Sequence, residues 1–332
     1  MDDVAERAGV SRSLVSLVFR NADNVSEHRR RAVLEAAEEL GYRTNRLARN
    51  LAQGRSMTIG VVIDDLQNPF FSRILDGIEH CLAPSGYQVL LANGARSSER
   101  SQTAITTLAE LQVDGLILVG TRGDEAALLS HARSRPTVLI ARQTDSDLLD
   151  SVRVDELLGS RLAVEHLSSL GHCEIVHIDG GGGASAEERR NGYRAAMAEA
   201  GLQGHTEVLR GEFTHEAGSK AAVALAARQQ MPSAVFAGND LIAAGLWVQL
   251  ERSGVSIPND LSLVGFDDSS FPGFGETGLT TIRQPAHRIG DRAGELLLER
   301  LDGSRSESCH EAIPPTIVER SSTQRLDLGA QA

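Results

Sequence analysis

Arg12, Ser13, Ser16 and Leu17 fall on one side of a short segment whose other side carries Val15, Val18 and Phe19. An arginine and two hydroxyls grouped this way can bond to base edges. A leucine beside them can touch a thymine methyl but cannot donate to guanine. The apolar side needs something to pack on. Just upstream, Val4, Ala5 and Ala8 recur at helical spacing. Gly9 interrupts that segment and tolerates a positive φ that other residues resist. Ser11 is then placed to cap the next helix, its hydroxyl accepting from an otherwise unpaired N–H. Residues 3–18 therefore read as helix, tight turn, helix, the layout in which the second helix enters the major groove by its N-terminal residues.

The elements that must hold this pair come next. Ser26 can cap a third helix with Val33, Ala36, Ala37 and Leu40 as its stripe, ended by Gly41. Val4, Ala8, Val10, Val15, Val18, Val33, Ala37 and Leu40 would form the core of a small three-helix head. In 45–54, Asn45 can cap, Gly54 can terminate, and Leu47 and Leu51 stack at i, i+4. So short a helix is marginal in water, and it can fold when DNA supplies the missing contacts.

The chain has 332 residues and a net charge of −12. That length calls for two or three compact units. The acidic total hides an asymmetry: residues 1–56 hold ten arginines against eight acids, a net +2, which leaves −14 for the rest. An acidic body is repelled by phosphate, which confines DNA contact to the head. No apolar run reaches membrane-spanning length and the N-terminus lacks the order of a signal peptide, so a cytoplasmic protein with no membrane partner is expected. Cys81, Cys173 and Cys309 match no zinc or disulfide pattern and read as small buried hydrophobes.

From Thr58 strands and helices alternate. Strands are expected at Ile59–Ile63, Gln88–Leu91, Gly115–Val119, Thr137–Ile140 and Val152–Val154. A second series follows at Glu174–Ile178, Thr206–Leu209, Ala234–Ala237 and Leu261–Phe266, with a last strand at Thr316–Val318. Helices are expected near 70–83, 99–112, 124–133, 157–170, 186–200, 215–229, 239–253 and 285–302. Such alternation implies parallel sheets covered on both faces. Two series imply two doubly wound halves, with a ligand beyond the carboxyl ends of the strands. The fold class is a small all-α helix-turn-helix head plus an α/β core of two parallel-sheet subdomains.

Other motifs carry less. Gly180–Gly183 follows a strand and precedes a helix, but it lacks a following Lys-Ser/Thr and the G-x-G-x-x-G spacing, so a flexible crossover is expected rather than a phosphate loop. Arg122-Gly123-Asp124 reads as a loop before a helix. The ten histidines show no metal-ligand spacing. Ser185 lacks a G-x-S-x-G context, so no catalytic residue, cofactor or metal is assigned. Trp247, at helical spacing, reads as core.

Short motifs recur in order along the whole chain: Asp3-Val4-Ala5, Ala8-Gly9-Val10-Ser11, Val15-Ser16, Val25-Ser26, Leu40-Gly41-Tyr42 and Asn45 with Leu47-Ala48-Arg49 and Leu51. They continue through Ile59-Gly60-Val61-Val62, Asn68-Pro69-Phe70-Phe71, Val113-Asp114-Gly115, Gly171-His172 and Ala237-Gly238-Asn239-Asp240. Gly265-Phe266-Asp267-Asp268, Leu279-Thr280-Thr281-Ile282 and Gln284-Pro285 complete them. In order and spacing this is an end-to-end resemblance to the LacI/GalR family of transcriptional regulators. It implies a head at 1–43, a hinge helix and linker at 44–57 and a periplasmic-binding-protein-like core at 58–328. The N-subdomain would be 58–157 and 286–314, and the C-subdomain 158–285 and 315–328.

The same resemblance implies a repressor that is not an enzyme. It would bind a near-palindromic double-stranded operator as a homodimer and answer to a small-molecule effector, a sugar or sugar derivative. DNA contacts would come from Arg12, Ser13, Ser16, Leu17, Asn45, Arg46, Arg49, Leu51 and Arg55. The effector would meet Asp65, Asn68, Phe70, Arg142, Arg189, Asn239, Asp267 and Gln284 between the subdomains. Leu14, Leu17 and Ala141 depart from the family's commoner residues. Two other readings exist: a transport-type sugar-binding protein, against which the head speaks, and a nucleotide-dependent α/β enzyme, resting on the glycine run alone.

Leu51 is expected to wedge into the minor groove at the operator centre, where unstacking a step costs a few kcal/mol and is offset by contacts to bent DNA. Leu51→Ala should weaken operator binding and reduce bending, with dimerisation and ligand affinity unchanged. Circular-permutation mobility shifts on one operator check this, and equal bending by both proteins would refute it.

Overall fold

The computed structural model describes residues 1–19, 22, 24–42, 55–269 and 278–326, so Asn45, Arg46, Arg49 and Leu51 lie outside the described residues. The chain divides into two units, Met1–Ser56 and Met57–Ala332.

The first unit holds α1 (Asp2–Ala8), α2 (Arg12–Phe19) and α3 (Glu27–Glu39). Gly9 takes the left-handed conformation (φ 66°) that closes α1. The Leu14 N–H donates to the Ser11 hydroxyl at 3.2 Å, the cap that the sequence called for. Ser26 stands at the N-cap of α3, but its side chain makes no cap bond. Val4, Val15, Val18, Val33 and Ala37 are buried together with Ala5, Val25 and Ala36, and Ala8 and Val10 pack at the margin. Leu40 is instead 47% exposed. It is the C-cap, where the backbone leaves helical angles (φ −87°, ψ 0°) and the stripe of α3 ends.

The second unit carries two six-stranded sheets. The strands are β1 (Thr58–Ile63), β2 (Gln88–Asn93), β3 (Gly115–Val119), β4 (Thr137–Ile140), β5 (Asp150–Val154) and β6 (Ile175–Ile178), then β7 (Glu207–Leu209), β8 (Ala234–Ala237), β9 (Ser262–Asp267), β10 (Thr280–Arg283), β11 (His310–Ile313) and β12 (Thr316–Val318). The first sheet runs β11-β5-β4-β3-β1-β2, all parallel. The second runs β12-β10-β9-β8-β6-β7, parallel except for the antiparallel β10–β12 pair. The helices are α4 (Pro69–Leu82), α5 (Ser98–Glu110), α6 (Glu125–Ala132), α7 (Glu156–Ser169), α8 (Ala186–Glu199), α9 (His215–Ala226), α10 (Asp240–Arg252) and α11 (Ala286–Asp302).

Strand alternation explains the layers. Ile59, Val61 and Ile63 face α4 and α11, whereas Val62 faces the cluster built with α5 and α6. In the second sheet Val235 and Ala237 face α9 and α10, and Ala234 and Phe236 face α7 and α8. Two strands were not expected. β10 carries threonines whose polar atoms are satisfied across the sheet, the Thr280 N–H donating to the Ser322 hydroxyl at 2.7 Å. β11 is an edge strand in which Ile313 alone is buried. Cys81 and Cys309 are half-buried and Cys173 is exposed beside the Gly171 turn, so the expectation of buried thiols does not hold. Trp247 packs at the edge of a core cluster. Among the described residues no helix is long and apolar enough to cross a membrane.

Reciprocal glycines set two helix crossings. A Cβ at Gly77 of α4 would overlap the His287 carbonyl, and one at Gly290 of α11 the Ile74 carbonyl. In the other half Gly218 of α9 meets the Ile242 carbonyl and Gly245 of α10 that of His215. Alanine favours helix by about 1 kcal/mol over glycine, yet Gly290→Ala should destabilise the core by roughly 1–3 kcal/mol through overpacking. Urea unfolding checks this, and a stabilised variant would refute the close crossing.

Candidate functional site

The carboxyl ends of both sheets converge on one cavity. Asp64 and Asp65 follow β1, Gly120 follows β3 and Ala141 follows β4. From the second sheet come Asn239 after β8, Asp267 at the end of β9 and Gln284 after β10. The cavity and its open mouth together hold about 550 Å³ of space free of protein atoms. Arg96 (φ 56°), Ala141 (φ 59°), Ser185 (φ 65°) and Asp267 (φ 123°), all in its lining, hold left-handed backbone. Such strain, on the order of 1–3 kcal/mol each, gathers at ligand clamps.

Arg189 on α8 is the buried centre of the second-sheet wall. Its Nε and Nη2 donate to Glu156 Oε2 at 2.9 and 2.7 Å, and Nη1 donates to the Gly238 carbonyl. Its guanidinium lies 3.5 Å over the Phe266 ring and 5.4 Å from that of Phe213. The fork is therefore engaged within the protein. Next to it, Asp267 Oδ1 accepts from Gln284 Nε2 at 2.6 Å. Burial first, and then the neighbouring Asp240, hold the Asp267 carboxyl well above the usual range. Asp240 accepts from the Thr281 hydroxyl and the Ser269 N–H, each at 2.7 Å, and burial pushes it up to about 7. Burial also raises Glu156, with Arg189 opposing.

On the first-sheet wall, Asp64 is buried and pairs with Arg122 at 3.5 Å through Oδ2, while its Oδ1 accepts no hydrogen bond. Burial raises its pKa against the pull of Arg122. Arg122 also reaches Glu212, beyond β7 of the other sheet, at 2.8 Å. Ser185 Oγ donates to the Ala141 carbonyl and Arg73 Nη1 to the Asp268 carbonyl, each at 3.0 Å. These contacts, with the Arg153–Glu188 pair at 3.6 Å, join the two halves.

Seven of the eight residues expected around an effector are brought together: Asp65, Asn68, Phe70, Arg189, Asn239, Asp267 and Gln284. Two are also helix caps. Asn68 Oδ1 accepts from the Phe70 N–H and Asn239 Oδ1 from the Ile242 N–H, each at 3.0 Å, leaving each side-chain NH2 to donate elsewhere. Arg142 is not in the lining. The left-handed turn at Ala141 precedes it, and its Nη1 contacts the Thr121 carbonyl at 3.5 Å. Beside the lining, Asp268 pairs with Arg283 and Arg320 at 2.6 Å each.

Sequence reasoning missed Asp64, Arg122, Glu156 and Phe213, all in the lining. Asp124 does cap α6, as a loop before a helix should, yet Arg122 of the same tripeptide faces the cavity. The glycine run held the signal for Phe213. A Cβ at Gly180 or Gly183 would collide with its ring, so the run is a packed seat rather than a loose crossover. No cluster able to hold a metal occurs among the described residues.

In the head, Arg12 and Ser13 are exposed at the start of α2. Arg12 pairs with Asp2 at 3.5 Å, and the Ser13 hydroxyl lies 2.8 Å from that of Ser11. Ser16 and Leu17 are half-buried, and Leu17 packs on the head core rather than lying wholly away from it. Arg55 is exposed.

Residues 1–45 match the bacterial regulatory proteins of the lacI family, and residues 164–323 match a periplasmic binding protein-like domain. The chain is 36% identical, over 334 aligned residues, to the HTH-type transcriptional repressor CytR of Escherichia coli (strain K12), spanning 98% of this chain and 96% of that protein. It resembles the lac repressor dimer bound to operator and the anti-inducer ONPF, with a TM-score of 0.85 at 29% identity over 97% of this chain and 98% of the other. A LacI family regulator from Enterococcus faecium with bound ribose matches with a TM-score of 0.74 at 30% identity, covering 81% of this chain and all (100%) of the other.

Asp240 makes the site's stability pH-dependent. Its folded pKa of about 7 stands above the unfolded value of about 3.9. The stability tied to its proton is therefore fully present below about pH 4 and is lost as pH rises through 7. Relative to the non-ionising Asp240→Asn, the wild type should lose stability between about pH 4 and 7 in urea titrations and change little above that. A difference that stays flat across that window would refute the assignment.

Proposed function

The chain belongs to the LacI family of bacterial regulatory proteins and is a DNA-binding transcriptional repressor with a small-molecule effector; from that premise we propose that it binds a near-palindromic operator as a homodimer and takes a sugar or sugar derivative between its two sheets. The observation that carries the sugar reading is the lining itself. Phe70, Phe71 and Phe213 line the cavity beside Asp64, Asp267, Asn68, Asn239 and Gln284. Aromatic faces cover the C–H side of a sugar while carboxyls and amides read its hydroxyls. The ribose bound to the Enterococcus faecium relative supports the same class. With Arg189 engaged by Glu156, its role is to hold the wall rather than to bridge two hydroxyls.

For DNA, Arg12 and Ser13 at the exposed start of α2 would meet base edges, with Ser16 and the outer side of Leu17 beside them. Asn45, Arg46, Arg49 and Arg55 would meet phosphates, and Leu51 the minor groove. A two-fold dimer explains a near-palindrome, because protein symmetry is mirrored in the half-sites. The lac repressor relative is itself a dimer on its operator. The effector would act by changing the balance of the contacts that join the two halves, Arg122–Glu212 among them.

Selection from random DNA should return a near-palindrome whose affinity falls steeply with salt, as counterions are released from phosphate. Recovery of no enriched sequence by a folded dimer would overturn the operator reading. In thermal-shift screens, a sugar at about 100 times its dissociation constant should stabilise the core by roughly 2.7 kcal/mol. Asp267→Ala and Phe213→Ala should each remove the shift. Normal binding by both variants would move the ligand out of this cavity.

A further inference from the structure

Arg189, Arg122 and Arg96 line the cavity, and each is already answered by a carboxylate. Arg189 is held by Glu156 at 2.7 Å, Arg122 by Glu212 at 2.8 Å and by Asp64 at 3.5 Å, and Arg96 by Asp65 at 3.7 Å. The carboxyls are not all answered in return. Asp64 is 6% exposed, and its Oδ1 accepts no hydrogen bond. Asp267 is 3% exposed and accepts from Gln284; Arg189 acts on its charge, but that guanidinium is bonded to Glu156. Behind it the buried Asp240 is met by a hydroxyl and an N–H, not by a cation. The cavity therefore has hydrogen-bond acceptors to offer and no uncommitted cation among the described residues.

We infer that the cavity takes a ligand with no negative charge, a neutral or amine-bearing sugar that donates hydrogens to Asp64 and Asp267, and that it rejects the phosphorylated or acidic counterparts. This rests on the cavity being the effector site. An ionised carboxyl only accepts, and a protonated one still accepts on its second oxygen, so sugar hydroxyls satisfy Asp64 and Asp267 in either state. An anion has no such choice. To be met by a guanidinium it must draw Arg96 from Asp65, or else Arg122 or Arg189, which leaves the buried Asp64 or Glu156 without its cation. Burial already raises the carboxyls of Asp64 and Asp267, the direction expected of acids short of positive charge.

Calorimetry on the full chain with matched probes tests this: D-ribose against ribose 5-phosphate, and D-glucose and D-glucosamine against glucose 6-phosphate and glucuronate. The neutral or amine form should bind at least about 100-fold tighter than its acidic partner. Glu212→Gln, at a side chain 46% exposed and so tolerant of change, frees Arg122 from one carboxylate. It should narrow that ratio about 5-fold by tightening the acidic form. An acidic sugar binding as tightly as its neutral partner, or a ratio unmoved in Glu212→Gln, overturns the inference while leaving a carbohydrate in the cavity. If no probe of either charge binds, the carbohydrate reading itself falls and this inference falls with it.

Discussion

A guanidinium without access to water is the constraint around which the ligand-facing half is built. Removing Arg189 from solvent costs several kcal/mol unless its charge and its N–H groups are met. They are met from separate elements: Glu156 in the first turn of α7, the Gly238 carbonyl after β8, and the Phe266 face on β9. One side chain of α8 thus fixes a helix start and two strand ends against one another. Asp267 follows Phe266 directly, so the ring under the guanidinium also fixes where the next carboxyl stands. That carboxyl is held in a left-handed backbone (φ 123°). The arrangement is set by the protein's own contacts, and a wall ordered in advance binds at lower entropic cost than one that must be assembled.

What could be read from the sequence followed from range. The runs at Ile59–Ile63 and Gly115–Val119 are apolar throughout because both faces of a parallel sheet are covered, and they were legible as strands. Gly9 and Ser11 were legible because turn and cap lie within three residues of their partners. β10 and β11 were not, since threonines satisfied by distant hydroxyls and an edge strand with one buried residue leave no pattern of hydrophobicity. Leu40 and Leu17 show the limit of face-counting: spacing says which side a residue takes, not where the helix unwinds or where a rim begins.

The cavity divides the same way. Positions matched through the family's motifs converged, apart from Arg142. The residues that hold them in place did not announce themselves. Glu156 lies 33 residues from Arg189, and Arg122 lies 90 from Glu212, so no local spacing links either pair. Their charges are ordinary in composition and become meaningful only when a fold removes them from water. The same holds for the head, whose small positive excess is modest in number, while the exposure of Arg12 and Ser13 at a helix start is a property of the structure.

The seat of Phe213 has a consequence for how such a regulator diversifies. Gly180 and Gly183 lie under the ring on the side that their missing side chains leave open. A methyl group at either position would occupy the ring's present place, so the ring, itself part of the cavity wall, would have to move. The shape of the recess is therefore written partly in two residues that no ligand need touch. Selection can alter what the protein recognises by enlarging a glycine behind the wall.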